Sequence, residues 1–299
     1  EQALEIIDTA QRHPCGRLSG VLSPGQIDTC SEALLRDSVA VAKERGLTVT
    51  VHASQSVIEF NEMVRRHGKT PIQWADQIGL LCANTLLGHA IFIDEHSWLR
   101  WHTRKDLDLL ADSGTSVAHC PLPFARYGAM LEDFGRYRRR GVNLGLGTDT
   151  LPLNMLEEMR TVLIVSHLAA KDVHAAGTAD VFNAATIGGA RALHRDDIGR
   201  LSPGAQADIV LVDLEHPAMQ PLHDPLRSLI YVAADRAVRD VYIGGSLVVA
   251  NGKVLTLDQA DAADRLREAQ QRALAAVPRN DYAGRTADQL SPRSLPLSD

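Results

Sequence analysis

Strand-length apolar runs are separated by longer amphipathic segments, and the cycle repeats. Arg17 to Val21 reads as a strand and Ser31 to Arg45 as a helix, with Ser31 as N-cap and Gly46 at the C-cap position. Leu47 to His52 is apolar and β-branched, a strand ending in histidine, and a helix follows from about Ser56 to His67. Thr85 to His89 is the next strand, with one or two helices between Asp94 and Ser113. Thr115 to His119 is a strand, Tyr127 to Arg140 a helix ended by Gly141, Val142 to Asp149 a strand, and Leu156 to Lys171 a helix.

Repeated β-α units of this kind build parallel sheets. Five are visible, counting the strand near Val21. A closed barrel needs eight, so three more units, roughly 90 residues, are expected upstream. The expected fold is therefore α/β: an incomplete TIM-type (β/α)8 barrel showing strands four to eight.

After Asp180 the texture changes. Asp180 to Leu193 reads as a helix of small residues. Short strands follow at Ala207 to Asp213, Val238 to Ile243 and Leu247 to Leu255, with turn signals at Gly244-Gly245 and Asn251-Gly252. They suggest a small antiparallel β-sandwich domain. Ala260 to Ala276 reads as a helix, and the proline-containing tail as a docking or poorly ordered extension. The expected division is 1–195 for the barrel part, 196–256 for the β-domain, and 257–299 for the helix and tail.

Composition excludes several classes. The 299 residues carry a formal net charge of -6, so the basic footprint of a nucleic-acid binder is absent. No apolar run is long enough to span a membrane, and no signal peptide is visible, so a cytoplasmic protein is expected. Four cysteines, Cys15, Cys30, Cys82 and Cys120, form no C-x-x-C pair and read as free thiols.

The chemistry lies at the strand ends. Catalytic residues of parallel barrels occupy the C-terminal ends of strands. Here those ends read His52, His89, His119 and Asp149. One such histidine is usually structural; four successive ends reading His, His, His, Asp are not readily accidental. Imidazole and carboxylate suit zinc or ferrous iron, and a catalytic metal lowers the pKa of a bound water toward ~7.

Val51-His52-Ala53, Leu87-Gly-His89-Ala90, Ser116-Val-Ala-His119-Cys-Pro and Leu146-Gly-Thr-Asp149-Thr resemble the amidohydrolase superfamily. The branch they resemble holds the cytosine, guanine and methylthioadenosine deaminases and the triazine chlorohydrolases. The stretches Ala185 to Leu193 and Ile198 to Asp213 are similar to that branch's passage into its β-domain. The resemblance implies His52 and Asp149 as metal ligands, with Asp149 also a general base. It implies His89 as the partner of the attacking water or the substrate, and it puts His119 in the strand that lines the substrate pocket. One divalent metal ion is implied, zinc ahead of iron. A mononuclear site is expected, because Arg17 to Gly25 holds no lysine to bridge two metals.

Two departures shape the expectation. The family supplies a further ligand pair from a His-x-His, and no His-x-His occurs in these residues. Deaminases of the branch often carry a glutamate three residues after the strand-five histidine; that position is Gln55. An amide can hydrogen-bond but cannot donate a proton as a carboxylic acid does. Glu59, one turn on, reads as a helix-surface charge. Gly188-Gly189 reads as close helix packing rather than a phosphate loop, and Trp98 and Trp101 as packing residues.

The leading expectation is hydrolysis of a C–N or C–halogen bond on a small nitrogen heterocycle by a homodimer, with Asp149, His89 and Gln55 handling protons and hydrogen bonds. The alternatives are a non-catalytic or truncated amidohydrolase-fold protein lacking a complete metal site, and an amide or lactam hydrolase of the same fold.

Overall fold

The β-α cycle resolves, in a computed structural model that describes residues 2–295, into five parallel strands hydrogen-bonded in chain order. They are β1 (Leu22–Gln26), β2 (Val49–Ala53), β3 (Thr85–His89), β4 (Ser116–His119) and β5 (Asn143–Leu146). Helices α1 (Gln2–Gln11), α2 (Glu32–Arg45), α3 (Val57–His67), α4 (Pro71–Gln77), α5 (Asp106–Asp112), α6 (Pro121–Ala125), α7 (Phe134–Arg139) and α8 (Met155–Ala170) flank and connect them. Ser31 accepts from Leu34 N and Gly46 adopts the left-handed C-cap, as the sequence predicts for α2.

Register fixes which side chains share a face. Val51, Leu87, Val117 and Leu144 are aligned across four strands and are all buried. They share one apolar core with Leu35 and Val39 of α2, Met63 of α3, Leu110 of α5 and Val162 of α8. Burying each such aliphatic side chain contributes about 1.5–3 kcal/mol. The opposite face carries Thr50, His52, Leu86 and Gly88, which are only partly buried.

Several elements differ from the sequence reading, among them the strand expected over Val142 to Asp149, which stops at Leu146. The first strand runs over Leu22–Gln26 rather than Arg17 to Val21. Leu22 N donates to Thr48 O and Ile27 N to His52 O, so pairing with β2 makes this edge strand despite Pro24 and Gly25. The helix expected over Tyr127 to Arg140 is confined to α7, which starts at the Asp133 cap on Arg136 N. The expected helix over Asp180 to Leu193 is α9 (Thr178–Asn183), a π-helical turn at Ala184–Gly188, and α10 (Gly189–Ala192). A short helix, α11 (Pro225–Ser228), comes later.

The chain divides into two compact units. The first holds the residues up to Ala207 together with Asp213–Ala237, and the second holds Asp208–Val212 and residues from Val238 onward. The second contains one antiparallel sheet in the order β6 (Ile209–Val212), β7 (Val238–Ile243), β8 (Ser246–Ala250), β9 (Lys253–Val254). Its hairpins turn where the sequence marks them. Gly244 and Gly245 have φ of 55° and 80°, and Asn251 and Gly252 have 48° and 73°, the paired positive values of a two-residue hairpin turn. This unit also holds α12 (Gln259–Asn280) and α13 (Ala287–Leu290). Among the described residues no helix is long and apolar enough to cross a membrane.

The segment after β3 is tied down by two buried aspartates. Asp106 accepts from Thr70 Oγ1 at 2.8 Å, Gln73 Nε2 at 2.9 Å and the Asp94 amide at 2.9 Å. Asp94 accepts from Thr103 Oγ1 at 2.6 Å and the Lys105 amide at 2.7 Å. Burial, then repulsion from Asp94, pushes the Asp106 carboxyl up to about 7. Its folded value lies above its unfolded value, so its stabilising share is complete below about pH 4 and is lost as pH rises through 7. The unfolding free energy should therefore carry a downward slope from Asp106 across that window, at most about 1.4 kcal/mol per pH unit. Denaturant titrations of wild type and Asp106→Asn at pH 4 to 8 check this; parallel curves for the two proteins would refute it.

Candidate active site

His52 and His89 end neighbouring strands, with His52 registered against Gly88 and Ala53 against His89. The His52 ring leans across β3, where a Cβ on Gly88 would stand 3.2 Å from His52 Cδ2, so glycine leaves room for the ring. His52 Nδ1 lies 3.1 Å from the Gly25 carbonyl of β1. A carbonyl only accepts, so Nδ1 carries the proton and Nε2 keeps its lone pair free. A bond of this kind orients metal-binding imidazoles.

His89 requires a different device. Strand alternation alone turns it with Leu87 toward the buried face, opposite His52. Instead its φ is 78° and that of Ala90 is 45°, a left-handed kink in two residues that both carry a Cβ. The kinked His89 ring stacks on His52 with centroids 5.3 Å apart and planes at 27°. Phe124 of α6 closes over it at 4.6 Å. Burial drives the His89 pKa down to about 4; the Asp149 charge opposes this and His52 adds to it. At neutral pH His89 is therefore an uncharged imidazole. Its Nδ1 is buried and has no partner.

Asp149 follows β5 in the left-handed region, φ 56°, and its side chain is exposed. Its charge acts on His89, Cys120 and Glu158. His119 keeps the parity of Val117 and is 2% exposed, with Phe134 as ring neighbour at 6.3 Å. Burial, with His89 second, pushes its pKa to about 3. Gln55 lies on the turn after β2, and its amide donates to Glu59 Oε2 at 3.0 Å. The structure thus joins His52 to His89 by ring contact and Asp149 to His89 by electrostatics. His119 sits on the core face, and Gln55 is on the adjoining turn.

Two buried carboxyl groups near the site are not anticipated by the sequence. Glu59 is not a surface charge: it is 2% exposed, and burial pushes its carboxyl up to about 7 against two backbone donors. The signal was present as Ser56-x-x-Glu59, a capping pattern. Glu158 of α8 is fully buried; one oxygen accepts from Leu122 N at 3.0 Å and the other has no partner. Burial raises its pKa to about 7. Its place on the inward stripe with Val162 and Ser166 was legible from helical spacing.

Imidazole from His52 and carboxylate from Asp149 are suitable zinc donors by type, and the buried, unpartnered Nδ1 of His89 marks a polar site awaiting a partner. Among the described residues no group of three or more His, Cys, Asp or Glu side chains is placed to hold a metal ion.

The model of the Amidohydrolase family matches residues 5–248. The chain belongs to the amidohydrolase family. Among its relatives in the family is a 5-methylthioadenosine/S-adenosylhomocysteine deaminase of Natronomonas pharaonis, 33% identical over 283 residues, which are 93% of this chain and 63% of that protein. A 5'-deoxyadenosine deaminase of Methanopyrus kandleri is 28% identical over 257 residues, 85% of this chain and 58% of that one. The chain thus spans about three fifths of the length of the curated relatives it matches. Among solved amidohydrolases, an adenosine deaminase from Xanthomonas campestris with bound zinc superposes with a TM-score of 0.82 at 30% identity, covering 91% of this chain and 60% of that one. The fold is shared with a mutant of an atrazine chlorohydrolase of Arthrobacter aurescens complexed with zinc and atraton, TM-score 0.79 at 22% identity over 89% of this chain and 58% of the other.

Proposed function

We propose that this site serves hydrolysis at an sp2 carbon of a small nitrogen heterocycle, breaking a C–N bond by deamination or a carbon–halogen bond. The observation that carries the reading is the His52–His89 pair, stacked at 5.3 Å on adjacent strand ends with the Asp149 charge acting on His89. The names of the relatives, deaminases of adenosine-type nucleosides, support the deamination arm. In this reading His52 and Asp149 would hold one divalent metal, zinc ahead of iron, and the remaining ligands would come from other strands of the full barrel. The five parallel strands would be the last five of eight, and the antiparallel sheet part of a β-sandwich. When bound, such an ion supplies a water whose pKa is lowered toward ~7.

The chain's own groups do the rest. Asp149 takes the proton of the attacking water and returns it to the leaving group. His89, neutral at pH 7, can accept from that water or donate to a ring nitrogen without competing for the proton. Gln55 offers an amide that fixes the heterocycle by hydrogen bonding. Because Gln55 cannot protonate the leaving group, substrates whose leaving group needs little protonation should turn over fastest.

The test is a substrate panel. Metal-replete full-length protein should release ammonia or halide from at least one of adenosine-type nucleosides, pterins, pyrimidines and chlorotriazines. Silence across the panel from protein with bound metal would overturn the reading. A second reading, a non-catalytic member of the fold, is favoured by Gln55 and by the lack of a three-donor cluster among the described residues. Near-stoichiometric zinc or iron in the purified full-length protein would eliminate it.

A further inference from the structure

We propose that Glu59 is a positioning residue: it locks the turn that carries Gln55 and, through that turn, the left-handed kink that aims the His89 imidazole. This rests on the site reading above and adds a residue to it.

The hydrogen bonds form a continuous path. Glu59 is the third residue of α3, and its own amide donates to the cap Ser56 Oγ at 3.1 Å. In an ordinary capping box its carboxylate would return to the amide of the cap itself. Here it reaches further back. Oε1 accepts from Ser54 N at 2.6 Å and Oε2 from Gln55 N at 3.0 Å. Both oxygens are spent on the turn leaving β2, not on the helix. Ser54 is fully buried and left-handed, φ 56°. Its carbonyl accepts from Ile91 N at 2.9 Å and Phe92 N at 2.7 Å, while the Ala53 carbonyl accepts from Ala90 N at 3.0 Å. These three amides immediately follow His89. On the far side Tyr137 Oη donates to Ala90 O at 2.7 Å.

A left-handed pair of non-glycine residues persists only where its surroundings hold it. Here the holding groups are the Ser54 and Ala53 carbonyls and the Tyr137 hydroxyl. Ser54 is itself left-handed and is held by Glu59. Without the kink, strand parity would turn His89 toward the core face and away from His52. A side chain with two carboxyl oxygens suits the post, since one oxygen faces the Ser54 amide and the other the Gln55 amide. Glutamine presents one acceptor and sets an NH2 against the other amide.

The experiment compares Glu59→Gln, Glu59→Asp and Leu110→Ala with wild type, using metal-replete full-length protein. Leu110→Ala lowers stability from the core without touching the turn. Glu59→Gln should lower kcat by about 10- to 100-fold with KM within about 3-fold and metal content unchanged. Glu59→Asp, which keeps both acceptors, should recover part of that loss. Amide hydrogen exchange at Ile91 and Phe92 should quicken by about tenfold or more in Glu59→Gln. In Leu110→Ala it should move only with the protein as a whole. Unchanged exchange at Ile91 and Phe92, or a kcat loss in Glu59→Gln no larger than in Leu110→Ala, overturns the proposal. If wild type hydrolyses nothing, the functional reading fails while the exchange arm still decides the clamp.

Discussion

Replacing His52 by alanine in the full-length protein should lower kcat/KM by about 10³-fold or more, ~4 kcal/mol of transition-state stabilisation, and should strip most of the bound metal. The expectation follows from the state of the ring. Its Nδ1 is committed to the Gly25 carbonyl, so its only free donor is Nε2, at the end of a central strand with Gly88 cleared beside it. Among the described residues neither neighbouring histidine stands in: His89 is held by its kink, and His119 lies on the core face. Losing even an outer partner of a metal-bound histidine typically costs 10- to 100-fold, and losing the ligand itself costs more. Metal analysis and steady-state kinetics on the same preparation read the result. Near-stoichiometric metal with activity within tenfold of wild type would remove His52 from the ligand set. His119→Ala, in contrast, should keep its metal.

The second large effect concerns two adjacent glycines. Gly188→Ala should destabilise the protein by about 2–4 kcal/mol, while Gly189→Ala should be neutral or stabilising by up to ~1 kcal/mol. Both are helical, so alanine gains the same backbone entropy at each. They differ in surroundings. A Cβ on Gly188 would stand 2.1 Å from the Leu144 carbonyl oxygen of β5, whereas nothing lies within 4 Å of a Cβ on Gly189. The obstructing atom is strand backbone and cannot swing aside. The approach is also pinned, because Asn143 Nδ2 donates to Gly188 O at 3.1 Å and to Ser116 Oγ at 3.0 Å. Clash therefore outweighs propensity at Gly188. Equal denaturation midpoints for the two variants would refute this account.

Residue types with a single physical use are legible in the sequence. His52 is visible because a β-branched run stops at it, whereas His89 and Asp149 follow glycine-containing apolar runs, and Asp149 lies three residues beyond the end of β5. The hairpins were visible because Gly-Gly and Asn-Gly supply positive φ. Gly188-Gly189 signals close packing, and Gly188 does touch β5. Elements decided by their neighbours are not legible in the same way. Leu22–Gln26 holds proline and glycine and becomes a strand only through pairing with β2. Glu59 looked like surface charge, because a helix N-terminus does not announce that the preceding turn folds over it. The His89 kink was least accessible: nothing in histidine or alanine demands a left-handed backbone, and only the bonds to Ala53, Ser54 and Tyr137 impose it.

The clamp on the turn after β2 grips main chain, through the amides of Ser54 and Gln55, and makes no demand on which side chain position 55 carries. A one-codon exchange between glutamine and glutamate there can swap a neutral hydrogen-bonding group for a proton donor without remodelling the scaffold.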